Sequence, residues 1–302
     1  MIFSKRLNFV ALACAAWLVA MPSVQANPSL SAISSANAGV GSASPVSGGD
    51  ADFVYSRSVI SNSEGTGQSS GFARSNGSYA VSSQATGVSN SSAHAGFSYD
   101  LLNDSGAAQT YSLHFKIYGG YIGSFLSDGE TFGDGEFSRS DYLATIGLNG
   151  DKVFSSSATI RGDKSGFSMT HEGVRLNANN DGSDGEYFWD YVYVNMERTL
   201  AAGESLSIVA NMDISSFSQV GAAVNGCAAP PTAQTALSSL AGDCFKAEGR
   251  GFYGDPFIAD GEGSPGFFFT AAPANQVPEP ASLALVLLSL GLSWGMAKGR
   301  RA

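Results

Sequence analysis

Cysteine and histidine are scarce in this 302-residue chain, with three of each, and the absences exclude whole chemistries. One cysteine, Cys14, falls in an N-terminal apolar run, so only Cys227 and Cys244 remain for the body. No Cys-x-x-Cys occurs, which removes the usual thiol metal site and the thioredoxin-type redox pair. His94, His114 and His171 stand far apart, and none has the His-x-x-x-His spacing of a helical zinc site. Lone histidines on strands are mostly surface or hydrogen-bonded structural residues. No Gly-x-Ser-x-Gly elbow is present among the many serines. Basic charge is also short, with 16 Lys and Arg against 26 Asp and Glu.

The charge imbalance sharpens once the chain is divided. Lys5, Arg6, Lys298, Arg300 and Arg301 lie in the terminal segments described below, as does Glu279. The rest therefore carries eleven basic and twenty-five acidic residues, a formal charge of −14. Such a surface argues against nucleic acid and anionic lipid as partners. It suits cations or a polymer bound without charge, and it also keeps an exported protein soluble.

The N-terminus reads as a secretory signal over residues 1–26. Lys5 and Arg6 form the basic region, Leu7 to Met21 the apolar core, and Val24-Gln25-Ala26 the small-residue cleavage site. Two cysteines in an oxidising compartment, flanking one loop, then read as a Cys227–Cys244 disulfide.

Residues 27–50 are almost wholly Ser, Ala, Gly, Asn, Pro and Val without period, which predicts a flexible lead segment. Short alternating runs separated by Gly, Asn and Asp follow over 51–272. Phe53–Ile60, Tyr79–Thr86, Ala93–Leu102 and Phe267–Thr270 read as strands, and Ser61–Gly77 as a loop or weak edge. Between Gln109 and Tyr118 the side chains of Tyr111, Leu113, Phe115 and Ile117 share one face. Asn149-Gly150 predicts a type I′ hairpin turn. Glu186–Leu200 reads as one long aromatic strand, turned through Ala201–Glu204 into Ser205–Ile214 as a second hairpin. Helix has room only at Thr232–Leu240. No internal repeat is visible. The expected fold class is all-β: an antiparallel β-sandwich, jelly-roll-like, with a flexible N-terminal lead and a C-terminal hydrophobic helix.

That last helix belongs to a three-part tail over 273–302. Val277-Pro278-Glu279-Pro280 forms an extended turn that no helix enters from its C-terminal side. An uncharged, leucine-rich stretch from Ala281 to Ala297 follows, about 25 Å long at ~1.5 Å per residue, the short end of a membrane span. Lys298, Arg300 and Arg301 hold its far end in the cytoplasm. This order resembles the PEP-CTERM sorting signal of Gram-negative bacteria, and the resemblance covers residues 277–302 only. It implies an exosortase-type membrane protease as partner, transient residence in the inner membrane, and a mature form at the cell surface or outside it. It also implies a link to bacteria that make exopolysaccharide and biofilm.

Two stretches of the body stand out for chemistry. Asn177, Asn179 and Asp181, with Gly182 at the sixth position, resemble the head of an EF-hand calcium loop, with Asp184 or Glu186 as a nearby carboxylate. The twelfth position, where that pattern wants a bidentate acid, is Phe188. The alternative is a solvated turn, since Asn, Asp and Gly are ordinary turn residues. A second acidic loop holds Asp128, Glu130, Asp134 and Glu136. On the aromatic strand, Tyr187, Trp189 and Tyr191 share a face that can stack on sugar rings, although the commoner use of such a row is one side of a sandwich core. Gly261–Gly266 matches a dinucleotide fingerprint by letter but leads into a strand, so it reads as a loop. No catalytic constellation emerges. The expectation is a non-enzymatic surface or matrix protein that binds exopolysaccharide, with a secreted polysaccharide-active hydrolase as the alternative.

Overall fold

The computed structural model describes residues 28–222, 245–254 and 265–272, and every element among them is a β-strand. All pairings are antiparallel. The organising element is β6 (Tyr79–Leu102), which bends at Gly87, where φ is +69°. A Cβ there would lie 2.3 Å from the Glu64 carbonyl oxygen, so glycine is required both by conformation and by space.

Each half of β6 is the centre of a layer. The first half pairs on one side with β5 (Gly65–Arg74), followed outward by β4 (Phe53–Ser61) and β3 (Val46–Gly49). On its other side come β15 (Ala247–Gly254), β8 (Gly120–Leu126) and β12 (Glu186–Trp189). The second half pairs with β1 (Ser29–Ala38), which is met at its end by β2 (Gly41–Ser42). Across from β1 lie β14 (Ser205–Gln219), β9 (Phe137–Leu148), β10 (Asp151–Asp163) and β11 (Gly166–Gly173). The bend turns the layers face to face, and Ser91 Oγ ties them at the fold by accepting from Gln84 N and donating to Gln84 O. A separate three-stranded sheet is built from β13 (Val192–Leu200), β7 (Gln109–Ile117) and β16 (Phe267–Ala271).

The space between the layers has two chemistries. Near the bend it is filled by small residues. Ser34 Oγ meets Ser56 Oγ at 2.8 Å and Ser58 Oγ at 2.9 Å, and Ser216 Oγ bridges Ser83 at 2.7 Å and Ser140 at 2.9 Å. All six are buried. A buried hydroxyl without a partner costs roughly 1–3 kcal/mol, and here each hydroxyl satisfies another across the gap. Glycines let the backbones approach: a Cβ on Gly71 would sit 2.4 Å from His94 O, and one on Gly249 would sit 2.3 Å from Arg139 O.

Further from the bend the filling becomes aromatic and aliphatic. Tyr79, Tyr142, Tyr187, Trp189 and Tyr253 cluster with ring centroids 4.4 to 6.2 Å apart, beside Leu101, Ile122, Ile146 and Ile208. The three-stranded sheet closes this side with Tyr111, Leu113, Phe115 and Ile117, the alternating face of β7. Phe267 joins the two parts, at 5.5 Å from Phe97 and 4.9 Å from Phe115.

Several expectations need correction. The supposedly flexible 27–50 segment contains β1, paired with β6 along its whole length, with Ser34, Ala36 and Ala38 buried. Its Ser and Ala content answers the narrow interlayer gap. Ser61–Gly77 contains β5, an inner strand, for the same reason. Glu186–Leu200 is two strands interrupted at Asp190 and Tyr191, in different sheets. Ala201–Glu204 does turn the chain, but β13 and β14 also join different sheets, so no hairpin forms. This crossing and the β6–β7 crossing are tied by the fully buried Asn103, whose amide donates to Leu200 O, Ala201 O and Ala107 O, each at 2.9 Å. The Asn149-Gly150 turn is as expected, with φ of 51° and 86°. Thr232–Leu240, Cys227, Cys244, the signal peptide and the sorting tail lie outside the described residues.

The narrow gap generates a test. Gly71→Ala should destabilise the fold by about 3 kcal/mol or more, because the clash is with backbone that cannot rotate away. Gly106→Ala, where nothing lies within 4 Å, should cost less than about 1 kcal/mol. Urea unfolding midpoints at unchanged m compare the two, and equal midpoints would refute backbone contact between the layers.

Candidate functional site

The loop from β11 to β12, together with the break between β12 and β13, encloses a cleft of about 700 Å³. Its lining includes Asn177, Asn179, Asn180, Asp181, Ser183 and Asp184 from the loop. Phe188, Asp190 and Tyr191 complete it from the strand side.

The loop is held by its own side chains. Asn177 Oδ1 accepts from Asn179 N at 3.0 Å, Asn180 Oδ1 from Gly182 N at 2.9 Å, Asp181 Oδ1 from Ser183 N at 3.1 Å and Asp184 Oδ1 from Glu186 N at 3.2 Å. These are successive Asx turns, the usual reason for Asn and Asp in such segments. Gly182 and Gly185 take φ of +70° and +88°. The base of the loop is fixed to β12, with Asn177 N donating to Tyr187 OH and Asn177 Nδ2 to Phe188 O, both at 2.9 Å.

That arrangement speaks to the calcium expectation. Asn177, Asn179, Asp181 and Asp184 do line one cleft, but Glu186 is a strand residue paired with Gly123 and is not part of the lining. Among the described residues no three His, Cys, Asp or Glu side chains gather as a metal site. One side-chain oxygen each of Asn177, Asn180, Asp181 and Asp184 accepts a backbone N–H, and Arg175 reaches across to Asn180 O. Hydrogen bonds from the Ser183 hydroxyl and N–H hold the Asp181 carboxyl below its ordinary pKa. In the other acidic loop, Glu136 accepts from Gly133 N at 2.6 Å and Gly221 N at 3.0 Å, with Lys246 at 3.4 Å, and Asp134 pairs with Lys164 at 2.6 Å. The Gly133 N–H is the main cause of a lowered Glu136 pKa.

The aromatic row divides. Tyr187 and Trp189 are buried, with Trp189 Nε1 donating to Tyr118 O at 3.0 Å. Tyr191 is 60% exposed in the cleft. Phe188, which the alternation puts on the opposite face, joins it there at 54% exposure. The interruption at Asp190 is responsible: strand alternation ends there, and Tyr191 turns outward beside Phe188. Lys116 Nζ lies 5.2 Å from the centre of the Tyr191 ring, and Tyr193 packs edge-on at 5.7 Å. Phe188 does not stand out in the sequence because alternation sets it opposite the Tyr187–Trp189 row, in phase with Glu186 and Asp190.

Compared with protein-family models, curated proteins and solved structures, the chain matches none.

A cation at this loop would compete with the Asx-turn hydrogen bonds of Asn177, Asp181 and Asp184, which predicts indifference to calcium. Thermal melts in chelator, calcium and magnesium should coincide to about one degree. A calcium-specific rise of several degrees would show preferential binding to the folded state and overturn this account of the loop.

Proposed function

We propose that this is an exported cell-surface or extracellular-matrix protein, sorted by an exosortase-type protease, that binds exopolysaccharide in the Asn177–Tyr191 cleft. On this reading the two facing layers form a jelly-roll-like sandwich that serves as a rigid support. The observation that carries the binding is the meeting of exposed Phe188 and Tyr191 with Asn179, Asn180, Asp181 and Ser183 around one open space. Sugars present apolar C–H faces and a rim of hydroxyls, and an aromatic surface beside amides and carboxylates matches both. The Pro278-Glu279-Pro280 tail with Arg300 and Arg301 supports the location. The alternative, a hydrolase acting in this cleft, needs a carboxyl kept protonated as general acid, and Asp181 is biased the other way.

Binding is tested on a glycan array with the full chain, followed by titration of the best glycan. Tyr191→Ala should weaken binding about tenfold, equivalent to ~1.4 kcal/mol, with Phe188→Ala doing the same. Absence of any glycan binding, or a Tyr191→Ala variant that binds like wild type, would refute the assignment.

Sorting has its own readout. Intact mass of the protein from its native host should show a chain ending near Pro278-Glu279-Pro280. A mature chain that still carries Trp294 and Arg301 would exclude processing.

A further inference from the structure

The geometry points to a second, chemically different site on the outer face of the layer formed by β1, β6 and β14, independent of the cleft: we propose that Ser31, His94 and Asp213 form a hydrolytic triad for short, neutral acyl esters. His94 Nδ1 lies 2.8 Å from Asp213 Oδ1, and His94 Nε2 lies 3.1 Å from Ser31 Oγ. The carboxylate fixes the Nδ1–H tautomer, which leaves Nε2 as the acceptor for the serine proton. That is the order of roles an acyl-transfer triad needs, on three neighbouring strands.

The register explains how the groups meet. Ile33, His94, Asp213 and Leu143 form one cross-strand row, and Ser31, Gly96, Asn211 and Thr145 form the next. Gly96 is the element that permits contact between rows. A Cβ built on it would lie 2.3 Å from Ser31 Oγ, 2.8 Å from His94 Nε2 and 3.1 Å from Asn211 Oδ1. Three polar groups thus converge over a position without a side chain. Rotation of the Asn211 amide presents Nδ2 to the same point, as a donor for a developing oxyanion.

In the reaction, Ser31 Oγ bonds to the ester carbonyl carbon while His94 Nε2 takes its proton. The carbonyl oxygen becomes an oxyanion that accepts from Asn211. Collapse breaks the bond to the alkoxy oxygen, which leaves as the alcohol with the proton from His94. Water then attacks the acyl-Ser31 ester, returns a proton through His94 and releases the carboxylic acid. Ester and water become acid and alcohol with nothing else consumed.

The surroundings define the substrate class. The site is shallow and open, with Ser31 exposed and the His94 side chain at 25% of its full exposure, so the acyl group must be short. Asp213 places negative charge beside the site, whereas Asp141 is paired with Arg139 at 3.0 Å, so it is Asp213 that disfavours anionic esters. On the other side of the His94–Asp213 pair, a hollow of about 210 Å³ walled by Ile33 and Leu143 leaves the sheet face open to a substrate body. Ser31, His94 and Asn211 touch the reacting atoms, and Asp213 is a positioning residue.

The test uses the full chain. A fluorophosphonate probe should add once per chain, with the adduct mapped by mass spectrometry to Ser31, and p-nitrophenyl acetate should be hydrolysed at least about tenfold faster than by Ser31→Ala. His94→Gln should fall to the Ser31→Ala rate. Asp213→Asn should lose about a hundredfold or more in kcat at unchanged KM, a split that a merely structural role would not give. Ser35→Ala, on the same face with its Oγ paired to Ser92 Oγ, should hydrolyse like wild type. Melting curves matching wild type confirm that the variants are folded. A wild-type protein without an adduct on Ser31, or hydrolysis equal in wild type and Ser31→Ala, would overturn the proposal. Glycan binding at Tyr191 is read separately and does not depend on the outcome.

Discussion

Backbone-to-backbone approach of the two layers beside the bend of β6 is the constraint on which the rest depends. Gly67, Gly71 and Gly249 each face a carbonyl oxygen of the opposite layer at a distance that no side chain tolerates. Sheets whose inner faces carry large side chains pack roughly 10 Å apart, and a gap this narrow admits only glycine, alanine and serine. Serine then has to solve the problem its own hydroxyl creates, since a polar group between the layers needs a partner. Pairing across the gap, as in Ser34 with Ser56 and Ser58, solves it and at the same time fixes the register of one layer on the other. A one-residue slip would turn those hydroxyls to the outside.

The narrow end forces a wide end. Once the layers are pinned together at Gly87, their divergence leaves a volume that only aromatic residues and a third sheet can fill. Tyr142, Tyr187, Trp189 and Tyr253 occupy it from the layers, and Phe267 and Phe115 from the third sheet. The cleft is a by-product of this transition. The chain must leave β12 in one layer and enter β13 in the third sheet within two residues, and the interruption at Asp190 and Tyr191 is where it does so. Phe188 holds the outward phase of β12 and Tyr191 shares the outward phase of Tyr193 in β13, and the change of phase at the crossing brings both to solvent.

Legibility from sequence followed the same divide. At the wide end the period-2 pattern of Tyr111, Leu113, Phe115 and Ile117 identified the inward face of β7 directly, and all four are buried. The Asn149-Gly150 turn was equally readable because positive φ at two successive residues has a local signature. At the narrow end the code inverts. Ser29–Ala38 and Gly65–Arg74 have the composition of a linker, yet they are a paired strand and an inner strand, because small and polar is what a closely approached interior demands. The loop from Asn177 to Glu186 showed its oxygens in the sequence but not that they bond to their own backbone. The break at Asp190 carried no glycine or proline to announce it.

The same serine-rich, closely registered sheets bear on where chemistry can arise. An outer face built from Ser, Asn, Asp and His in straight cross-strand rows presents many hydrogen-bonded pairs, most of which only satisfy one another, as Ser35 and Ser92 do. What separates Ser31, His94 and Asp213 is a missing side chain. Gly96 removes the atom that would keep neighbouring rows apart, so a histidine already oriented by a carboxylate leans onto a serine in the next row. Ser31 and His94 lie 63 positions apart in the chain, and His94 and Asp213 lie 119 apart, so only the pairing of β6 with both β1 and β14 brings them together. Glycine inside the layers serves close packing; on the outer face at Gly96 the same absence of a Cβ lets a flat sheet gather three functional groups around one point.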